Sequence, residues 1–351
     1  MLEFSPPTRA RRLLAAFGLS IGLFIAPAPL LAGPYEDGLR AYEAGQYQDA
    51  AAFFRAGAES GDPRSQHLLG ILYVEGKGVE QNVSEAIGWL AAAAQKSHTD
   101  SQYSIALIAL EGIGGAEQDL QTALAWLEVA ANQGHLYAQF DLGTIYAEDR
   151  YVARDLNKAS LWFSKAAHQG HPDAQYNMGV LYMTGEGVTR DENQALEWFR
   201  LAANSGQVDA QYNLGVLYTN GIGVPQDFGI AAKYLQEAAN SGLADAQWGL
   251  GILSYRGEGI PRNLEQAAQL FREAAEQGHP EAQYMMSRIY HLGEGVPVDA
   301  LEAYVWLSLA SRQGRDDPQL RQALAQALTQ QPRQQGDRRA AEPTARLTAV
   351  R

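Results

Sequence analysis

Residue types that commonly perform chemistry are sparse in this chain and fall mainly on repeated positions. The 351 residues include seven histidines and no cysteine, which excludes disulfides, thiolate metal sites and cysteine nucleophiles. Five histidines recur at two equivalent positions of a repeated pattern: His67, His98, His135, His171 and His279. The other two, His168 and His291, lack acidic neighbours at metal-binding spacing. Because no nucleophile, base and orienting residue stand together, the sequence predicts no enzyme, no metal and no cofactor.

Paired glycines, beginning with Gly76 and Gly78, recur along the chain and could suggest a phosphate-binding loop. A dinucleotide-binding glycine loop follows a strand, whereas these glycines join two predicted helices. We therefore interpret the glycine pairs as turns between helices, and nucleotide binding is not predicted.

A glutamine recurs at a nearly fixed interval and defines the elements that position the other residues. Five intervals are 36 residues long and one is 37. A constant period of this size is typical of a solenoid of stacked repeats. The glutamines are Gln66, Gln102, Gln139, Gln175, Gln211, Gln247 and Gln283. Their presence in every copy favours a structural role, with hydrogen bonds to the backbone between copies.

Residues 174–209 show how one copy is expected to fold. Apolar residues at helical spacing across 174–182 predict a first helix, which a glycine pair then ends. Asp191 is expected to cap a second helix that turns its aromatic and alanine residues inward. The third copy carries Asp149 and Tyr151 where other copies have glycines, so its turn must be built differently.

These repeated residues resemble a known family. They closely resemble the Sel1-like repeat, a relative of the tetratricopeptide repeat, in the patterns A-Q-Y-N-x-G-x-x-Y, G-x-G-V-x-x-D and A-x-x-W-F-x-x-A-A-x-x-G. The resemblance covers residues 65–317 and implies an all-α, right-handed α-solenoid of stacked helix-turn-helix repeats. The seven predicted copies are 65–100, 101–137, 138–173, 174–209, 210–245, 246–281 and 282–317.

The segments outside the copies have separate predicted roles. Residues 1–32 contain arginines, an apolar stretch and a small-residue exit, a pattern typical of a secretory signal peptide, with an uncleaved membrane anchor as the alternative. Residues 33–64 resemble a tetratricopeptide-like capping repeat, and 318–331 are predicted to form a C-terminal capping helix. Residues 332–351 are predicted to be a disordered basic tail; contact with an anionic polymer or with the acidic repeats is the alternative.

The charge distribution restricts the partners. The chain carries a formal charge of −13, while residues 1–32 carry +2 and residues 332–351 carry +3, which leaves −18 on the residues between them. Nucleic acid is not an expected partner, because phosphate binding requires a basic surface. Protein partners with basic segments are favoured electrostatically.

A ring follows each repeated glutamine and is the main candidate for partner binding. If the copies stack like tetratricopeptide repeats, the resemblance places this position towards the concave face, where rings could contact an extended peptide. The alternative is that the rings pack between neighbouring first helices as core. The candidate partner-binding residues are Tyr103, Phe140, Tyr176, Tyr212, Trp248, Tyr284 and Arg288.

An acidic residue lies two positions before five of these glutamines. One interpretation is a negative stripe that selects a basic partner, and the other is a set of first-turn acids that complement the helix dipole. The acids are Asp100, Asp173, Asp209, Asp245 and Glu281.

The resemblance implies a non-enzymatic protein-protein interaction scaffold or adaptor. Together with the predicted signal peptide, it favours a periplasmic protein of the bacterial cell envelope that has a regulatory or assembly role. The alternative is a peptidoglycan- or exopolysaccharide-associated binding protein in which the rings stack on sugars. Membrane association is expected only through an uncleaved N-terminus.

Overall fold

The computed structural model describes residues 33–341, and every regular element in that part is helical. Two compact units meet in sequence between Asp191 and Glu192. The first unit contains α1 (Pro34–Glu43), α2 (Tyr47–Glu59), α3 (Pro63–Glu75), α4 (Val83–Ala94), α5 (Thr99–Glu111), a 3₁₀ helix (Ile113–Gly115), α6 (Leu120–Asn132), α7 (Leu136–Ala147), α8 (Leu156–His168) and α9 (Pro172–Thr184). The second contains α10 (Glu192–Asn204), α11 (Val208–Asn220), α12 (Phe228–Asn240), α13 (Ala244–Arg256), α14 (Leu264–Glu276), α15 (Pro280–Leu292), α16 (Ala300–Arg312), α17 (Pro318–Ala327) and α18 (Gln330–Ala341).

Each unit is a stack of consecutive helices. Each helix packs against the next one along the chain, from α1 to α9 in the first unit and from α10 to α17 in the second. Odd-numbered helices from α3 to α15 are the first helices of the copies, and even-numbered helices from α4 to α16 are the second helices. The predicted all-α solenoid architecture is confirmed.

Glycines inside the first helices let the second helices approach closely. A Cβ added to Gly251 in α13 would lie 2.6 Å from Cε1 of Phe271 in α14, which is too close for a real contact. Gly143 in α7 stands in the same relation to Phe163 in α8. Both phenylalanine rings are completely buried, so each glycine allows an aromatic ring to pack between the two helices of a copy.

The glycine pairs form the turns predicted from the sequence. Gly76 and Gly78 have φ angles of 68° and 71°, a left-handed conformation that other residues rarely adopt. Any Cβ on Gly78 would also collide with the carbonyl of Tyr47 at the start of α2. The third copy lacks these glycines and ends α7 with Glu148 in an extended conformation, at φ −100°.

Asparagine and aspartate side chains cap second helices in both units. Each accepts a hydrogen bond from a backbone N–H in the first turn, which satisfies a donor that the helix leaves unpaired. The caps with this geometry are Asn82, Asp119, Asp155, Asp227, Asn263 and Asp299.

The repeated glutamines join one copy to the previous one, which confirms their structural role. The side-chain amide of Gln139 donates to the Ala131 carbonyl at 3.0 Å, at the end of the preceding second helix. The equivalent bond is made by Gln66, Gln102, Gln175, Gln211 and Gln283. Gln247 differs, because its amide donates to a carboxylate oxygen of Glu273 instead.

The C-terminal region differs from the prediction of a disordered tail beginning at residue 332. Helix α17 agrees with a capping helix, but α18 follows it and packs against α16. Gly336 is buried against the Tyr304 ring, and the Tyr304 hydroxyl donates to Asp337 at 2.9 Å. Arg339 pairs with Glu302 at 2.8 Å. Acidic and aromatic groups of α16 thus order the polar residues up to Ala341.

The predicted signal peptide, residues 1–32, and residues 342–351 lie outside the described residues. Among the helices of residues 33–341, none has the length and apolar character needed to span a bilayer.

Candidate partner-binding surface

Histidines that follow a turn glycine connect neighbouring copies through three contacts. The Nδ1 atom of His135 accepts from the Ala138 N–H at 3.1 Å and so caps α7. Its Nε2 atom lies 3.3 Å from an Asp100 carboxylate oxygen in the previous copy. Its ring also packs on Tyr103, which lies in the same helix as Asp100, α5, with 4.5 Å between centroids. The same position in other copies is occupied by His98, His171, Gln207, Leu243 and His279.

The electrostatics of these junctions favours the neutral imidazole. Burial lowers the pKa of His98 and His279 below the ordinary histidine value. Burial also lowers the pKa of His67 to about 3, with a smaller contribution from the neighbouring His98. Since Nδ1 of His279 accepts from the Ala282 N–H, the ring proton is assigned to Nε2, which faces Asp245 at 3.3 Å.

Three of the repeated acids contact the following copy, which neither interpretation of the sequence anticipated. Asp100 and Asp245 each lie beside a histidine of the next copy, His135 and His279 respectively. Glu281 accepts a hydrogen bond from Arg315 at 2.8 Å. These carboxylates therefore act within the junctions as well as in the first turns of their helices.

The candidate rings of the first unit are buried, which corrects their assignment to a partner-binding surface. The exposed fractions of Tyr103, Phe140 and Tyr176 are 1%, 2% and 4%. The Tyr103 hydroxyl donates to Asp141 of the following copy at 2.8 Å. Phe140 stacks on His171 with 4.2 Å between centroids. These rings are core, the alternative that the sequence had left open.

The candidate residues of the second unit remain accessible. Tyr212, Trp248 and Tyr284 are partly exposed, and Arg288 is exposed. The Tyr284 ring lies under the Arg315 guanidinium, and its hydroxyl donates to Asp317 at 3.0 Å. We call the partly exposed side of α11, α13 and α15 that carries these four residues the first-helix face of the second unit.

A pocket of about 410 Å³ opens on this face between α11 and α13. Its lining combines apolar side chains with charged groups, and Arg256 pairs with Glu258 there at 3.8 Å. It brings together two of the predicted residues, Tyr212 and Trp248, but not Tyr284 or Arg288. Its walls include Tyr212, Val216, Asp245, Trp248, Gly249 and Ile252.

Gly249 explains why the pocket is open at this junction. The residue after the ring carries a side chain in the neighbouring copies, for example Asn213 and Met285. Gly249 has none, and a Cβ there would lie 3.3 Å from Leu235, which also lines the pocket. A larger residue at position 249 would therefore project into the pocket.

Tyr212 is less completely covered than the rings of the first unit. In the part of the chain that the structure describes, its hydroxyl has no hydrogen-bond partner, whereas the hydroxyls of Tyr103 and Tyr284 each have one. Burial, and then the negative charge of Asp245, raise the pKa of Tyr212 above the ordinary tyrosine value. Tyr212 is therefore a neutral donor that faces the same pocket as a carboxylate.

Comparison with known families identifies the repeats. The Sel1 repeat model matches 63–98, 99–135, 136–171, 172–207, 208–243, 244–279 and 280–314. The chain belongs to the Sel1 repeat family. Each Sel1 repeat starts at the first residue of a first helix. Each therefore starts two residues before the corresponding copy predicted from the sequence, as residue 63 precedes residue 65.

A solved structure agrees with this assignment. The chain is 35% identical to a Sel1 repeat protein from Oxalobacter formigenes, over 84% of this chain and 86% of that one, with a TM-score of 0.65. It is 26% identical to c5321, a protective antigen of uropathogenic Escherichia coli with an SLR fold, over 91% and 86% of the two chains, with a TM-score of 0.41. No curated protein matches. Sel1 and related tetratricopeptide-like repeat proteins are generally non-enzymatic scaffolds for protein interactions.

The repeat pattern alone does not distinguish the buried rings of the first unit from the partly exposed rings of the second unit. The capping histidines were seen as repeated turn residues, although their position directly after a glycine is a signal for a helix cap. The pocket had a visible signal in Gly249, the missing side chain after a ring.

Within residues 33–341 no group of three or more histidine, aspartate or glutamate side chains is arranged to hold a metal ion.

Proposed function

We propose that this Sel1 repeat protein is a scaffold whose second unit binds an extended segment of a partner protein on its first-helix face. The observation that carries this proposal is the change in ring exposure between Tyr176, which is 4% exposed, and Tyr212, which is partly exposed and lines a pocket. An extended segment on this face would meet Tyr212, Trp248 and Tyr284 in succession.

Aromatic rings beside a preformed pocket suit such a segment. Tyrosine and tryptophan supply large contact areas at low cost in side-chain entropy, and they commonly dominate binding energy at interfaces. Trp248 is held by Phe271 and His279, at centroid distances of 5.2 and 5.3 Å, so little ordering is required when a partner binds. The surface is therefore largely organised before binding.

The charge of the protein favours a basic partner segment. Residues 33–331 carry a net charge of −18, which raises the rate at which a basic chain meets this surface. Arg288 is an exposed cation on the same face, next to the rings. It would disfavour a basic residue at the position of the segment nearest to it and so help to fix the register.

The test is crosslinking in cells followed by mass spectrometry, comparing the full-length chain with a Tyr212→Ala, Trp248→Ala double variant. Loss of specific crosslinked proteins from the double variant is the expected result. Leu201→Ala is the matched control, because Leu201 is 47% exposed on a second helix. An unchanged set of crosslinked partners in a folded double variant would contradict the proposal.

We further propose that the protein acts in the bacterial cell envelope. The arginine and apolar pattern of residues 1–32 supports export. Cell fractionation and the intact mass of the isolated protein test this, since export predicts a periplasmic fraction and loss of the first 32 residues. Sedimentation with purified cell wall tests the polysaccharide alternative, because a protein-binding scaffold should stay in the supernatant.

A further inference from the structure

The C-terminal end of the repeats shows how this protein covers an exposed ring with a cation. Arg315 follows Gly314 and lies over the Tyr284 ring, with 4.1 Å between the guanidinium carbon and the ring centroid. Its Nε atom donates to Glu281 at 2.8 Å, and the Tyr284 hydroxyl donates to Asp317 at 3.0 Å. A ring, a carboxylate and a guanidinium thus stabilise one another.

The N-terminal end repeats this arrangement with different residues. Arg64 lies over the Tyr35 ring, again with 4.1 Å between the guanidinium carbon and the centroid. Its guanidinium is 3.7 Å from a carboxylate oxygen of Glu36. At internal junctions the covering group is an imidazole, such as His279 on Trp248 beside Asp245. Several junctions therefore place a guanidinium or an imidazole against an aromatic ring and a carboxylate.

The junction between α11 and α13 lacks such a group. Leu243 follows Gly242 at the position that Arg315 occupies after Gly314, and it makes no side-chain cap. Asp245 lies two residues after Leu243, as Asp317 lies two residues after Arg315. A ring and a carboxylate are thus present at this junction, while the cation is missing.

The adjoining pocket has the shape and charge for a long basic side chain. Val216 and Ile252 provide apolar surface for an aliphatic stem, and the Trp248 ring lies beside them. Arg256 and Glu258 form an ion pair, so their charges offset each other. Asp245 lies beside His279, which is neutral, and its negative charge is therefore the one that remains uncompensated among the lining residues. The pocket therefore carries a net charge of about −1, in keeping with a single cation.

We infer that this pocket binds one arginine side chain of the partner segment, with the guanidinium between Tyr212, Trp248 and Asp245. The partner supplies in trans the group that Arg315 supplies in cis on Tyr284. This inference rests on the proposed function and adds the chemistry of the residue recognised. Arginine is favoured over lysine because its planar head both stacks on rings and pairs with a carboxylate.

The test is an NMR titration of the full-length protein with N-acetyl-arginine amide, followed at the indole N–H of Trp248. A Trp248→Phe variant assigns that resonance. We expect saturable shifts with the arginine probe and binding at least about tenfold weaker with the neutral isostere N-acetyl-citrulline amide, which corresponds to about 1.4 kcal/mol. Equal binding of both probes, or no shift with arginine, would overturn the inference.

Three variants locate the site. Asp245→Asn keeps an oxygen that accepts from His279 but removes the charge, so arginine binding should weaken by about tenfold. Leu243→Arg should occupy the pocket from within the chain and abolish binding. Glu265→Gln is the control, because this exposed first-turn acid of α14 lies outside the pocket lining and should leave binding unchanged. An unaffected Asp245→Asn variant would contradict the inference.

The same variants separate this inference from the proposed function. If the Tyr212→Ala, Trp248→Ala variant loses its crosslinked partners while Asp245→Asn keeps them, the scaffold function stands and the arginine assignment is wrong. If neither variant loses partners, the proposed function is itself wrong.

Discussion

Single residues at the turn before a first helix link neighbouring copies. A histidine there caps a helix, packs on the preceding ring and approaches an acid of the preceding copy, as His135 does with Tyr103 and Asp100. Each contact belongs to a different class of interaction, and one imidazole makes all three. At the junction between α11 and α13 this position is Leu243, which has no imidazole ring.

Replacing His135 by alanine should destabilise the first unit by about 2 kcal/mol, since both a helix cap and a ring contact are lost. His135→Asn keeps a capping side chain and should recover part of the loss. Urea denaturation of the purified protein measures both effects. His168→Ala is the control at an exposed site and should change stability by less than about 0.5 kcal/mol. Equal effects at positions 135 and 168 would contradict the assigned role.

The free energy of unfolding should also decrease as the pH is lowered, because burial lowers the pKa of His67. In the folded protein its pKa is about 3, whereas the ordinary value is 6.5. Between these values the unfolded chain binds the extra proton, so stability is full above pH 6.5 and decreases as the pH falls, by at most about 1.4 kcal/mol per pH unit. The pKa values of His98 and His279 are lowered in the same direction.

A His67→Phe variant should show a shallower dependence of stability on pH than the wild type, since one titrating group is removed. Urea midpoints across the interval between pH 6.5 and pH 3 give both slopes. Parallel curves for the two proteins would show that His67 does not contribute.

The sequence shows that an aromatic residue recurs at this position of the copies, but it does not predict which of these rings are exposed. Tyr103 and Tyr212 occupy the same position of their copies. The Tyr103 hydroxyl bonds to Asp141 of the next copy, whereas Tyr212 shares a pocket with Gly249, which has no side chain at the position equivalent to Asp141. Both pairs are more than 30 positions apart in the sequence. A period reveals what the copies share, whereas the candidate site arises from where one copy departs from the others.

At the scale of elements, the period and the glycines made the helices predictable. The caps at Asn82 and Asp119 and the turn at Gly76 and Gly78 follow from local chemistry, so the sequence was sufficient for them. Helix α18 was missed because its own residues are polar. Its order comes from contacts with Tyr304 and its neighbours on α16, which local composition does not report.

Two glycines within helices should respond in opposite ways to alanine. Gly143→Ala forces a methyl group against the Phe163 ring and should cost about 1–3 kcal/mol. Gly88→Ala in α4 meets open space and should stabilise the protein by about 0.5–1 kcal/mol, because alanine is the better helix former. Denaturation midpoints of the two variants provide the comparison. The close-packing account fails if Gly143→Ala is neutral.

At the scale of the whole molecule, the described chain ends in a helix that packs on the second unit. Amide hydrogen exchange should therefore show protection across 330–341, most strongly near Gly336 and Ala340, which are buried. A Tyr304→Ala variant should lower that protection, because the hydrogen bond to Asp337 and the ring contact are lost. Exchange at the rate of an unstructured chain in the wild type would contradict the position of α18.

The proposed function requires that partners bind the first-helix face of the second unit. The most direct measurement places a photo-crosslinking amino acid at Asn220, an exposed residue at the pocket, and separately at Leu201, an exposed residue on a second helix. Both full-length variants are irradiated in cells and their crosslinked products are identified by mass spectrometry. Discrete partner crosslinks are expected from position 220 and none of these from position 201. The same products from both positions, or none from position 220, would contradict it.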